Sequence, residues 1–501
     1  MGCLGPKTGS IAICLALAGC SAWKPDMEPC AASVECRDTF GYGHLCGTDG
    51  YCHQAAAHPR CTEIHPVDLQ QDPDDALLFG AIFNNAIDSQ QARKRALLLA
   101  LDEVNDNGGL EGRRLGMVVC DSDDSEEAQA RYGDSLDGVE AGAETAAYLA
   151  QTLGAAAILG PSTSAQVEKA FVAIRGSNTL MMTFSGTSVS LTSLDPKAVD
   201  DDHPGLLWRS VPPDSLQAEA IASDMLASSG GARAAPTQRL AIIYQDGSYG
   251  QGLATSVHER FNAVGKPDTY ARLITFSNDE QLVQAVDAVA ADDEYSTIQE
   301  VLFISSVPKD YELFLSRVAA DAKMDTRNIF LTDVAATQGV LNSAAVSNKS
   351  ALFSHVRGSR PVTAAPGQDT AFQAFSAKFT KEYGIDPADY SFTSQTYDAA
   401  WLVFAGAAWS LLQEQRVSGP GIARGLRRVT RGKGVNIQSS SWYQIVESFR
   451  AGQSIDLRGA SGELDFDPKT EEITAPIEIW VVEQQGQSWG IKTNHTWNPP
   501  S

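Results

Sequence analysis

The sequence predicts an α/β protein of two lobes, each a parallel sheet with helices on both faces. Short apolar runs at Leu77 to Phe83, Leu115 to Cys120, Ala155 to Leu159 and Leu180 to Phe184 have the length and bounding residues of buried strands, and so do Leu240 to Tyr244, Val301 to Ile304 and Ile329 to Leu331. Helical patterns fall between them: Ala92, Ala96, Leu97, Ala100, Leu101 and Val104 recur on one face, and Gly108-Gly109 closes that helix. Strands alternating with helices build parallel sheets, and there are too many strands here for one sheet of ordinary size.

At 501 residues, 43% hydrophobic and 20% charged, the chain has the composition of a globular protein with room for two or three domains. Its formal net charge of −24 argues against nucleic acid or an anionic membrane as partner, because both reward clustered Lys and Arg.

The chain opens with Lys7 and then the apolar run Ile11 to Ala18, which is too short to span a bilayer and has the form of a secretory signal core. That run ends in Leu17-Ala18-Gly19-Cys20. The tetrapeptide resembles the bacterial lipobox, which implies removal of residues 1–19 and a lipid on Cys20. No later segment is apolar enough to cross a membrane, so the expected mature protein sits in the bacterial cell envelope, held by lipid alone on a periplasmic or surface face.

Export places the remaining cysteines in an oxidising compartment. Cys30, Cys36, Cys46 and Cys52 follow C-x5-C-x9-C-x5-C through a glycine-rich stretch too small to hold a core without cross-links. Zinc is the competing use, with His44 and His53 nearby, but there is no CxxC pair; disulfides are expected, with neither metal nor cofactor. Four cysteines allow three connectivities, and the spacing leaves all three open. Cys61 and Cys120 remain as a further candidate bridge.

Several stretches in order resemble one family: ALDEVNDNGGLEGRRLGMVVCDSDD, ILGPSTSAQVEKAF, LMMTFSGTSVSLT, WRSVPPDSLQAEAIA, RLAIIYQDGSYGQGLA and SGELDFDP. From Leu77 to Gln485 the chain is similar to type I periplasmic binding proteins of the branched-chain amino-acid class, the substrate-binding lipoproteins of ABC transporters. The resemblance implies two Rossmann-like lobes joined by three crossovers, placed near Pro212, Asp333 and Gly452. The expected organisation is then a signal peptide at 1–19, a lipid-anchored cysteine-rich module at 20–62 and a linker at 63–75. Lobe 1 takes 76–212 and 334–452, and lobe 2 takes 213–333 and 453–495.

In such a fold ligands meet strand ends and the helix N-termini beyond them. Ser162, Thr163 and Ser164 stand at such a turn, where Ser164 either caps its own helix or offers a hydroxyl to an anion. The resemblance implies the second role, with Ser164 on a ligand carboxylate assisted by Ser185 and Thr187. It places Tyr249 as an aromatic closing from the other lobe, against the alternative of a tyrosine packing its own helix start. It also places Asp333 at the ligand ammonium, against a carboxylate that caps the segment after its strand. Val307 stands where such binders carry an aromatic facing the ammonium, so the carboxylate half is the better matched.

Enzyme signals fail on context. Ser306-Val307-Pro308-Lys309 fits S-x-x-K, but Pro308 interrupts the helical turn that this chemistry needs. Gly486 to Gly490 fits G-x-S-x-G, but a hairpin turn is expected there and no helix comes after it. Asp121 to Glu126 begins like a calcium loop and lacks its glycine and closing glutamate, so a solvated acidic turn is expected. The chain is therefore expected to be no enzyme. It should close on a small carboxylate-bearing solute, an amino acid, organic acid or amide, for delivery to an ABC permease. The alternative is a sensory or regulatory lipoprotein that uses the same fold on a protein partner.

Overall fold

The computed structural model describes residues 28–500 apart from 71–75, 196–199, 228–235, 292–297, 325–326 and 364–369. The expected signal peptide and Cys20 lie outside the described residues. The chain divides into two compact units, one ending at Ala55 and one running from Ala56, so the cysteine-rich module is shorter than the 20–62 expected.

The small unit holds a helix, Ser33–Phe40, and a two-stranded antiparallel hairpin of His44–Cys46 and Cys52–Gln54. Disulfides Cys30–Cys46 and Cys36–Cys52 tie it together, and Cys36 and Cys52 are its buried centre. The sulfurs of Cys30, Cys36 and Cys52 lie close enough to suggest a metal, but each is already spent in a disulfide.

The large unit contains the two expected sheets. The first orders Glu63–His65, Arg114–Asp121, Ala76–Phe83, Ala157–Leu159, Leu180–Thr183 and Leu207–Arg209, parallel except for the first strand. The second orders Ala271–Phe276, Leu240–Gln245, Glu300–Ile304, Asn328–Leu331, Val356–Pro361, Ile477–Gln485 and Ser488–Trp497. Its last two strands run antiparallel around a turn at Gly486, as expected for the G-x-S-x-G stretch.

Several boundaries differ from the expectation. Glu63–His65 pairs with Arg114–Asp121, so the supposed linker contributes a strand; Cys61–Cys120 fastens the residues that enter it. The chain does not leave the second lobe near Asp333. Val356–Pro361, buried at every residue, pairs in parallel with Asn328–Leu331, and the passage comes after Pro361. Nor does it leave the first lobe near Gly452, since Ile455, Leu457, Phe466 and Ile473 share a core with Phe79, Trp208 and Trp401. The return precedes Ile477. The organiser of that core is the helix Thr393–Glu414, buried on nearly every face, as a helix apolar all round must be. The acidic turn is solvated only in its second half: Asp124, Ser125 and Glu126 are exposed, but Asp121 and Asp123 are buried, Tyr132 donates to Asp121 at 2.8 Å, and Arg60 donates to the Asp123 carbonyl at 2.7 Å.

Candidate functional site

The strand Ala157–Leu159 enters its turn through Gly160, whose φ of 91° and 2.7 Å approach of a Cβ position to the Ile82 carbonyl leave room only for glycine. The helix beyond it is Ser164–Ile174, and its cap is Thr163, not Ser164. Thr163 has the extended backbone of an N-cap and accepts from the Gln166 N–H at 3.3 Å, while Gln166 reaches back to the Thr163 N–H at 3.2 Å. Ser164 is thereby released from capping. Its oxygen accepts from the Ser188 N–H at 3.2 Å, which leaves the hydroxyl proton free to donate.

The next strand end carries the other hydroxyls. Ser185 donates to the Ser162 carbonyl at 2.6 Å, so its proton is already committed. Thr187 is buried, and its carbonyl accepts from the N–H of Asp214 at 2.8 Å. Ser162 is buried as well, and its hydroxyl oxygen has no hydrogen-bond partner among the described residues.

From the second lobe, Tyr249 is the second residue of the helix Ser248–Ala263. Its hydroxyl donates to Asp333 at 2.7 Å and lies 3.0 Å from Thr332 Oγ1. Burial drives the Tyr249 pKa well above its ordinary value, and the neighbouring Asp333 charge adds to the shift. Asp333 lies two residues beyond the strand Asn328–Leu331, as the first residue of a short 3-10 helix, and is buried. Gln217 donates to it at 3.3 Å, and burial raises its pKa against the bonds from Tyr249 and Gln217 and the charge of Arg93. Tyr311, from the helix that begins just after Val307, lies 2.6 Å from Thr332 Oγ1, so an aromatic does stand beside Asp333, one turn beyond Val307.

Two groups that the sequence did not single out complete the cluster. Asp214 opens the helix Asp214–Leu226 and is wholly buried, with neither carboxyl oxygen in hydrogen-bond geometry with any described residue. Burial, reinforced by the Asp333 charge, pushes its pKa up to about 8; the Thr187 side chain and Arg209 are close enough to oppose the rise. Arg93, on the helix Asp88–Asp106, donates to the Ser391 carbonyl at 3.0 Å and to Ser185 at 3.4 Å and lies over the Phe392 ring. Burial lowers its pKa to about 10, opposed by Asp333. A Pro-Pro-Asp helix start signals Asp214 in the sequence only as a favourable first-turn acid, and Arg93 reads as a solvated helix residue.

The structure thus brings all five expected residues to the junction of the lobes. Hydroxyls and charges interleave there: Arg93 reaches Ser185, Tyr249 reaches Asp333, and the Thr187 side chain and Arg209 lie near Asp214. An unpaired buried carboxyl is costly unless a cation or a donor meets it.

A family model for the receptor family ligand binding region matches residues 92–485. A search of curated proteins returns no match. Among solved structures, a leucine-binding protein LivK from Thermotoga maritima superposes with a TM-score of 0.61 at 13% identity, covering 85% of this chain and 99% of its own. An ABC transporter substrate-binding protein from Desulfitobacterium hafniense in complex with Leu gives 0.56 at 18% identity, over 83% and 100%. A solute-binding protein from Rhodopseudomonas palustris in complex with 3,4-dihydroxybenzoic acid gives 0.58 at 14%, over 85% and 98%.

Proposed function

The chain belongs to the receptor family of ligand-binding regions, and on that premise we propose that it is an envelope solute-binding protein that closes on an amino acid. The observation that carries the reading is Asp214, a wholly buried carboxyl close to Asp333, whose raised pKa only the Thr187 side chain and the Arg209 charge oppose. An α-amino acid supplies what this cluster lacks: an ammonium for the two acids and a carboxylate for the free hydroxyl proton of Ser164. Contacts from both lobes would then shift the lobes toward closure. Delivery to an ABC permease fits the neighbouring structures, and the lipid on Cys20 would hold the protein to the envelope. Release of Cys20→Ala into the soluble fraction checks that anchor, and retention after a salt wash refutes it.

The test of ligand class is calorimetry with L-amino acids, the matching 2-hydroxy acids, and benzoate. Amino acids should bind, and the acids lacking an ammonium should bind at least tenfold more weakly. Ser164→Ala and Thr187→Ala should each cost about 1–3 kcal/mol of binding, and Asp333→Asn at least as much. Equal binding of a 2-hydroxy acid would remove the ammonium from the reading. A second reading, a regulatory lipoprotein acting on a protein partner, is favoured only by the two-disulfide module; a chain lacking residues 21–55 that still binds solute but loses a cross-linked envelope partner would support it.

A further inference from the structure

Besides the groups that face a ligand, the junction holds a carboxylate that joins one lobe to the other. Glu168 lies one turn beyond Ser164 on the helix Ser164–Ile174. One of its oxygens accepts from the Ser190 hydroxyl of its own lobe, and the other accepts from the Ser248 hydroxyl of the second lobe. Ser248 directly precedes Tyr249 and is the first residue of a 16-residue helix whose cap position, Gly247, has no side chain to offer. The carboxylate of one lobe therefore stands at the positive end of a helix in the other. A second bond runs alongside, from the Ser188 hydroxyl to the Ser248 carbonyl at 2.9 Å. The approach depends on Gly252, one turn further along, where a Cβ would sit 3.0 Å from the Ser188 oxygen.

We propose that Glu168 is a closure latch, a positioning residue that sets ligand affinity by holding the second lobe's helix without touching the ligand. The latch rests on the two-lobe closure of the proposed function and is independent of ligand class. Its logic is one of location. Bonds within a lobe survive any separation of the lobes, whereas the Glu168–Ser248 and Ser188–Ser248 bonds join segments carried by different sheets and break when the lobes part. A group that stabilises only the closed arrangement raises the population competent to hold ligand, and apparent affinity scales with that population. Because Ser248 and Tyr249 are neighbours, the latch also fixes the residue that donates to Asp333.

The experiment reads lobe separation directly. Spin labels at Val172→Cys and Val264→Cys, exposed positions on one of the two helices that meet here and at the C-cap of the other, report the interlobe distance with no added solute. Glu168→Ala should move the distance distribution to longer values. Ser248→Ala should move it in the same direction, and the double variant no further than Glu168→Ala alone. Glu168→Gln, which keeps one acceptor but not the charge, should fall between. With whichever amino acid binds in calorimetry, Glu168→Ala should weaken every bound amino acid by one common factor of about tenfold, chiefly through faster dissociation. Unchanged distances in Glu168→Ala, or losses in the double variant that simply add, would overturn the latch. Failure of every amino acid to bind would overturn the proposed function while leaving the distance measurement to decide the latch. Urea unfolding separates both from misfolding, since a latch variant should keep its unfolding midpoint within the range of ordinary surface substitutions.

Discussion

Replacing Asp214 by asparagine tests the buried acid pair without altering its shape. In the folded protein burial and the Asp333 charge push this carboxyl up to about 8, whereas in the unfolded chain it titrates near 3.9. Between those values the folded state keeps a proton that the unfolded state has released. The sign comes from linkage: the folded form binds more protons, so stability falls as pH rises through this window and levels off above it. Each pH unit costs about 1.4 kcal/mol for one proton, so the wild type should lose up to about 4 kcal/mol between about pH 5 and about pH 8. Asp214→Asn removes that titrating group and should show a much shallower decline; the residual slope belongs to the remaining acids that burial raises, Asp333 and Asp310 among them. The variant should therefore gain on the wild type steadily toward pH 8. The assay is urea unfolding at half-unit pH steps in buffers of constant ionic strength. Parallel curves for the two proteins would refute the reasoning, because they would mean that Asp214 is ionised and solvated in the folded state. The same linkage makes an ammonium ligand displace the proton, so amino-acid binding near pH 6.5 should release up to about one proton, read from calorimetry in buffers of different ionisation enthalpy.

Two further substitutions test the scaffold. Arg357→Ala should destabilise the protein by about 3–5 kcal/mol, because Asp224 at 2.7 Å and Glu300 at 2.5 Å would be left as buried carboxylates without their shared cation; a change below about 1 kcal/mol in chemical unfolding would show the triad to be solvated. Thr163→Ala should cost about 1 kcal/mol of stability with ligand affinity retained, and Ser164→Ala should do the reverse; matched thermal-shift and calorimetric measurements that failed to separate the two would return the cap to Ser164.

Much of the architecture was legible because burial leaves a local mark. Runs such as LLFGAIF and RLAIIY are apolar at nearly every position, as strands covered on both faces must be, and each became a strand of the expected sheet. The strand Val356–Pro361 left no such mark, for VRGSRP reads as a polar loop. It is buried because Asp224 and Glu300 neutralise Arg357 and Glu478 pairs with Arg360, partners more than fifty residues away in the chain. That misreading displaced the expected crossover from Pro361 to Asp333.

The sequence by itself determined the α/β alternation, the even set of six cysteines after Cys20 and the hydroxyl-bearing turns at Ser164, Ser185, Thr187 and Tyr249, because each depends on residues close together in the chain. It left the disulfide pairing open, and the structure decided it as Cys30–Cys46, Cys36–Cys52 and Cys61–Cys120. Only the tertiary structure chose Thr163 over Ser164 as the helix cap, since adjacent hydroxyls differ in backbone angle and not in chemistry. Only it set Asp214 and Arg93 each within electrostatic reach of Asp333. A charged residue near a helix start looks solvated in any one-dimensional reading. Its desolvation is a property of the groups that the other lobe brings against it.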